Sequence, residues 1–292
     1  MPMTCHGKPC KRVAPVGGRG YGAPPMMTLG CVLFATSVAT AGTPYQVNPA
    51  VDVALTAGLL GSYALGEVVK PTLQGGYRCK RLVAAASCDA ATLNAWDRTV
   101  VGNNSAGWRR ISDVGQMGSL AVPVLATALD AGLSDSGTAV ADAATETLVI
   151  TQAAAAATFA TMVLKFAVRR PRPQQYVAGA TVSTAESSVS FPSGHTTAAA
   201  AGSTAYATTF WLKHPAGWAR WAVAAAAVSV TAVTGYGRVA GGKHFYTDVV
   251  AGALVGGVCG FVLPMVHLEQ APVQVTGSVS AQAAALSLHG SF

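Results

Sequence analysis

Charge is scarce in this chain. Only 11% of its 292 residues are Asp, Glu, Lys or Arg, against roughly 25% in ordinary soluble domains. Aromatic residues supply 7% and apolar residues 51%. That balance, with a positive mean hydropathy, excludes a solvated, disordered chain and leaves a membrane protein or a deeply buried helical bundle. Alanine, only weakly hydrophobic, inflates the apolar fraction, so composition alone does not choose between them. Acids are missing before Val32, where Lys8, Lys11, Arg12 and Arg19 lie. Without those four, 15 basic residues face 12 acidic ones, so the formal charge of +7 is mostly a property of the first segment. No nucleic-acid motif and no basic stripe interleaved with aromatics is present, which argues against a nucleic-acid partner.

Sustained alternation is also missing from the body of the chain, and with it any sign of a sheet there. Apolar or small-residue stretches run instead at about 51–69, 114–131, 142–168, 195–212, 218–236 and 246–267, with Pro and Gly in the gaps. The pattern predicts an all-α fold of six helices without internal repeats. The longest uncharged runs in these helices, 53–66, 114–129, 147–164, 196–212, 221–237 and 249–266, hold 14, 16, 18, 17, 17 and 18 residues. A span wants about 20, with a range of about 17–25. Four qualify and the first two fall short, so the expectation is a membrane-embedded bundle, the alternative a soluble, alanine-rich periplasmic one.

At the N-terminus a basic stretch precedes "MMTLGCVLFATSVATA", residues 26–41, which ends in a small-x-small pattern, Ala39-Thr40-Ala41. Residues 1–41 read as an export signal of a bacterial-type cell envelope, or else as an N-terminal anchor. Residues 45–268 form the helical domain and 269–292 a tail. From 270 onward the tail has no Asp, Glu, Lys or Arg, and its alternation in "VQVTGSVS" admits a strand. Of six cysteines, Cys5 and Cys10 would leave with a signal, and Cys31 lacks a lipobox because Thr28 stands where an aliphatic residue is wanted. Cys259 reads as a buried thiol. Cys79 and Cys88 flank a short loop and could pair in an exported protein.

Three clusters stand out from this background. "KFAVRRPRP", residues 165–173, ends a helix with four cations and then prolines. Arg169 and Arg170 within it read as lipid-headgroup contacts or as solvated residues. "PSGH", residues 192–195, opens a small-residue helix. A helix start leaves unpaired N–H groups and a partial positive charge. Ser193 suits the cap, and Gly194 lets an anion approach the backbone. "GRVAGGKHFYTD", residues 237–248, adds Arg238 and Lys243. It sets His244 and Asp248 four apart, on one face if the segment is helical. There a carboxylate could fix the imidazole tautomer and leave the other nitrogen free to attack.

Together, Lys165 with Arg172-Pro173, then Pro192-Ser193-Gly194-His195, then Arg238 with His244 and Asp248, resemble the three-part signature of the type 2 phosphatidic acid phosphatase superfamily. That superfamily also contains bacterial acid phosphatases and vanadium haloperoxidases. The motifs cover 165–248, and the helix pattern extends the likeness to about 51–267. The resemblance implies a six-helix phosphatase acting on phosphate monoesters or diphosphates, on lipids or small esters, without a metal or other cofactor. Lys165, Arg172 and Arg238 would clamp the phosphate with backbone N–H groups near Ser193 and Gly194. His244 would attack phosphorus, Asp248 would orient it, and His195 would protonate the leaving oxygen. The rivals are a vanadate-dependent haloperoxidase and a non-catalytic binder of lipid phosphates. One position departs from the pattern: the family usually has Ser where this chain has Gly237.

Sidedness is contested by the sequence itself. Family sites commonly face the exterior or periplasm, and a Cys79–Cys88 pair would agree. Loop 70–112 carries seven Lys/Arg and two Asp, which favours the cytoplasm. Six spans after cleavage at Ala41 would also put both catalytic loops in the cytoplasm. An exterior site therefore predicts that 51–69, with Asp52 and Glu67 near its ends, lies in the interface instead of spanning.

Overall fold

The computed structural model describes residues 42–73, 79, 87–180, 185–268, 273–279 and 284–290. The expected export segment, 1–41, lies outside them. Among the described residues six long helices appear: α1 (Pro49–Val69), α3 (Ala106–Leu133), α4 (Ala139–Val168), α5 (Gly194–Lys213), α6 (Ala219–Ala240) and α7 (Tyr246–Val266). A single turn, α2 (Ala95–Arg98), sits in the connection between α1 and α3. The tail forms an antiparallel pair, β1 (Val273–Val279) and β2 (Ala284–Gly290), in register from Val273↔Gly290 to Val279↔Ala284.

Helix starts follow local chemistry. Asn48 Oδ1 accepts from Val51 N with Pro49 in the first turn, and Ser105 Oγ accepts from Trp108 N. α3 begins eight residues before the predicted 114, because the predicted start excluded the charged Arg109, Arg110 and Asp113 that fill its first turns. α4 stops where Arg169 turns to φ 51 and Pro171 follows.

α5 is the axis of the bundle and packs on α3, α4, α6 and α7. Its small side chains make that possible. α7 lays Gly252, Gly256 and Gly260 along it, where a Cβ would run into the carbonyl oxygens of Ser193, Thr197 and Ala201. This is small-residue packing of the kind that holds helices together inside a membrane. Outward faces are apolar: Leu254, Val258 and Phe261 on α7 and Val122, Leu125 and Leu129 on α3 are exposed. Among the described residues, five segments are long and apolar enough to cross a membrane: Pro49–Thr72, Ala106–Leu133, Ala139–Tyr176, Ala219–Ala240 and Tyr246–Val266. At 1.5 Å per residue, the 21 residues of α1 or α7 rise about 32 Å, close to the ~30 Å of a hydrocarbon core. Aromatic pairs mark both ends: Trp108 with Tyr236 and Trp96 with Tyr246 at one, Trp211 with Trp221 at the other. The fold is thus an all-α membrane-type bundle.

α1 does not lie across the others. Near its start Asp52 meets Gln152 and His267, and just past its end Lys70 reaches Glu186. It runs the length of the bundle, with Thr56 and Gly66 buried, and Gly66 set against Met162 of α4. The expectation of an interfacial 51–69 helix is corrected: short uncharged runs measured where charges fall, and these charges sit at the helix ends. The long helices alternate in direction, so Tyr45 and Leu268 bridge at the end opposite Lys70 and Glu186.

Candidate active site

The three sequence clusters converge at one end of the bundle. The end of α4 supplies Lys165, with Arg172 just beyond it. α5 opens with Gly194 and His195, α6 ends with Arg238, and His244 precedes α7. They line a cavity of about 190 Å³, joined by Tyr63, Glu67 and Lys70 from the α1 side, Gln116 of α3 and Glu186. Lys165, Arg172 and Arg238 are 7%, 5% and 7% exposed. Their counter-charges are few. Glu186 pairs with Arg172 and also with Lys70 at 2.8 Å, and Asp113 meets Arg238 at 3.3 Å. Arg238 Nε is buried without a hydrogen-bond partner among the described residues. Buried cations around one cavity are costly unless an anion joins them. Burial alone would raise the Glu186 carboxyl, but Arg172 and Lys70 outweigh it and hold the group down at about 2. Glu186 therefore stays an anion paired with Arg172.

His244 is fully enclosed. Burial first, then the charges of Arg172, Arg238 and Lys165, hold its pKa well below the ordinary 6.5, so the ring is neutral. Its Nδ1 lies 2.7 Å from the backbone oxygen of Ser190, an acceptor only, so Nδ1 carries the proton and Nε2 keeps its lone pair. Here the sequence reading needs correcting. Asp248 is not the direct acceptor: its Oδ2 stands 3.7 Å from His244 Nδ1. Nor do the two share a helical face, because His244 precedes Phe245, the N-cap of α7. Asp248 Oδ2 turns back to accept from Phe245 N at 2.9 Å and from Ser190 Oγ at 2.6 Å. Its Oδ1 receives Arg170 at 2.6 Å. Arg170 is accordingly neither a headgroup contact nor a solvated residue; it ties Asp248 to the buried Asp97.

His195 opens α5, and its Nε2 is 3.0 Å from Asp113 Oδ1. Burial and then Arg238 push it down to about 4, with Asp113 opposing. Gly194 leads the helix beside Lys165; a Cβ there would lie 3.4 Å from Lys165 Nζ. Its N–H belongs to the first turn, where no intrahelical partner exists. Ser193 departs from expectation. It holds the N-cap position, but it is fully buried and its Oγ makes no cap bond. Its N–H donates to the Asp248 carbonyl at 3.0 Å and its Oγ accepts from Thr196. The Ser193 amide is therefore committed within the protein, and Gly194 is the residue of the pair that lines the cavity.

Gly237 has a steric reason. A Cβ there would lie 2.7 Å from Trp108 O and 2.9 Å from Ser112 Cβ. Removing the side chain lets α3 close on α6, which delivers Asp113 to His195 and Arg238. Asp113, Glu186, Lys70, Ser190 and Asp97 were missed by sequence reasoning, since none belongs to a recognisable spacing, while Arg170 was singled out but given the wrong contacts.

The described parts of the connection 70–105, residues 70–73, 79 and 87–105, lie at this end. Within it Cys79 and Cys88 form a disulfide. Cys88 N donates to Gln175 O, and Cys88, Leu93 and Val100 pack with Tyr176, Val239 and Phe245.

Such a site, with buried cations around a neutral histidine at the end of a helical bundle, defines a class of membrane protein that handles an anionic group. Residues 146–271 match the sequence profile of the PAP2 superfamily. The chain is similar to the first transmembrane PAP2 type phosphatidylglycerolphosphate phosphatase from Bacillus subtilis, at 20% identity and a TM-score of 0.42, covering 71% of this chain and 94% of that one. It is also similar to Aquifex aeolicus LpxE, at 20% identity and a TM-score of 0.40, covering 57% and 90%. No curated protein matches the sequence.

Proposed function

We propose that this PAP2-type phosphatase hydrolyses phosphate monoesters or diphosphates of lipids through a phosphohistidine on His244. The observation that carries the reading is the cavity in which three buried cations face a neutral, tautomer-fixed imidazole. Lys165, Arg172 and Arg238 hold the phosphoryl oxygens, with the Gly194 amide at the helix start, and Glu186 gives up Arg172 when the substrate arrives. His244 Nε2 attacks phosphorus as the ester oxygen leaves with a proton from His195. Water then attacks the phosphohistidine, His195 takes one of its protons, and inorganic phosphate departs. Through both steps Nδ1–H stays on the Ser190 carbonyl. Asp248, at 3.7 Å, offsets the charge that the phosphorylated ring acquires. Apolar outer faces beside the cavity support a lipid ester over a soluble one.

The disulfide in the capping segment supports an exterior-facing site, since disulfides persist in oxidising compartments. With α1 running the length of the bundle, Tyr45 then faces the cytoplasm. That arrangement conflicts with cleavage after Ala41 by an exterior peptidase and favours the anchor reading of 1–41. The enzymatic reading is tested by phosphate release from a panel of lipid and soluble esters, with wild type and His244→Ala side by side. The proposal expects release by wild type alone; equal release by both contradicts it.

A further inference from the structure

Behind the nucleophile lies a buried chain of charge in which Arg170 and Asp248, from the first and third clusters, meet Asp97, which belongs to neither. Arg170 NH2 donates to Asp97 Oδ2 at 2.8 Å and Arg170 NH1 to Asp248 Oδ1 at 2.6 Å. Its guanidinium carbon stands 4.2 Å over the Phe245 ring. Asp97 lies in α2, beyond the disulfide in the same connection, and is fully buried. It accepts from Thr247 N, Thr247 Oγ1 and Asn94 as well. Burial pushes its carboxyl up, but these hydrogen bonds and Arg170 outweigh that and leave it below its ordinary value. Ser190 is pinned at three points. Its N–H donates to the Arg170 carbonyl at 2.9 Å, its Oγ to Asp248, and its own carbonyl receives His244.

We infer that Arg170, Asp97 and Ser190 are positioning residues that aim His244 and keep one net negative charge behind it. Two carboxylates sharing one guanidinium have a formal charge of −1. A phosphorylated imidazole with a proton on Nδ1 is a cation at that position and brings the cluster to neutrality. With Asp97 removed, Arg170 neutralises Asp248, and nothing is left to balance the intermediate. With Arg170 removed, two buried carboxylates face each other and Ser190 loses its frame. None of the three lines the cavity, so phosphate affinity is set elsewhere. The inference rests on the phosphohistidine reading above.

The test uses the full chain in detergent micelles with dioctanoyl phosphatidate as substrate and inorganic phosphate as competitive inhibitor. The variants are Asp97→Asn, Arg170→Ala, Arg170→Lys, Ser190→Ala and His244→Ala. Asp97→Asn, the near-isosteric change, is the decisive one should Arg170→Ala fold poorly. The inference predicts that kcat falls by about 10- to 100-fold in Asp97→Asn and Arg170→Ala, as for lost supporting contacts at other sites. KM and the inhibition constant of phosphate stay within about twofold, and Arg170→Lys recovers part of the rate. Wild-type kcat in both Asp97→Asn and Arg170→Ala, with His244→Ala inactive, overturns this inference alone. Loss of phosphate affinity in step with kcat overturns it too, because that is general unfolding of the site. A wild type that releases no phosphate, or a His244→Ala that matches it, overturns the underlying reading instead.

Discussion

Ser190 and His244 meet through a 2.7 Å hydrogen bond in which the imidazole Nδ1–H donates to a backbone carbonyl. A carbonyl cannot accept a proton outright, so this bond fixes a tautomer without competing for the proton. Asp248 works one step back, holding Ser190 Oγ at 2.6 Å and the Phe245 amide at 2.9 Å. The geometry of His244 is thus a property of the backbone just ahead of "PSGH".

His195 titrates at about 4 in the ligand-free site, because burial and Arg238 disfavour its charge. It is neutral at pH 7, the wrong form for an acid. A bound phosphate dianion favours the imidazolium. Histidine NMR should show His195 titrating near 4 alone and moving up towards about 6.5 with inorganic phosphate. An unchanged titration contradicts the assigned role. The sign for stability follows. Between about 4 and the ordinary 6.5 the unfolded chain binds a proton that the folded one refuses, so stability falls as pH drops through that window.

Gly237→Ser restores the residue usual in this family and should nevertheless damage the protein. The added atom meets Trp108 O at 2.7 Å and Ser112 Cβ at 2.9 Å. Overpacking of this kind costs about 1–3 kcal/mol, and α3 would withdraw Asp113 from His195. Thermal unfolding in detergent checks the first effect and kcat the second. A more stable and more active variant would mean that the missing hydroxyl, not the packing, is what matters here.

Opening the Cys79–Cys88 disulfide should cost stability and rate together. The cross-link closes a short loop, a constraint worth about 2–3 kcal/mol. The stretch that follows it, anchored at Cys88, carries Asp97 to Arg170. The Cys79→Ser, Cys88→Ser double variant should unfold at lower temperature and lose kcat while inorganic phosphate still inhibits at the wild-type concentration. Unaltered kcat would show that the cap folds around Asp97 without its cross-link.

Much of this was legible in the sequence. The helix pattern was right in number because α5 and α7 carry small residues for a physical purpose, close packing, and α4 ends in prolines. Lys165, Arg172, Gly194, His195, Arg238 and His244 line one cavity, as the family resemblance implied. What could not be read were contacts between distant segments. Asp97 and Arg170 are 73 residues apart, Asp113 and Arg238 are 125 apart, and neither pair has a local signature. His244 and Asp248 misled for a different reason. A separation of four suggests a helical pair, but an aspartate at N3 serves the helix start, so the chain turns at Phe245 and the histidine is left outside.

Sidedness has its own check. An exterior catalytic end with α1 spanning places Tyr45 in the cytoplasm, so the intact mass of the protein isolated from membranes should retain residues 1–41. A mature N-terminus at Gly42 would contradict that topology.

The most direct test of the central claim is rapid acid-free quenching of turnover with a ³²P-labelled lipid phosphate, followed by mapping of the label. The account predicts an acid-labile, base-stable phosphoryl group on His244, absent from His244→Ala, which also fails to release phosphate. Wild-type turnover with no label on His244, together with phosphate release by His244→Ala at the wild-type rate, would contradict it.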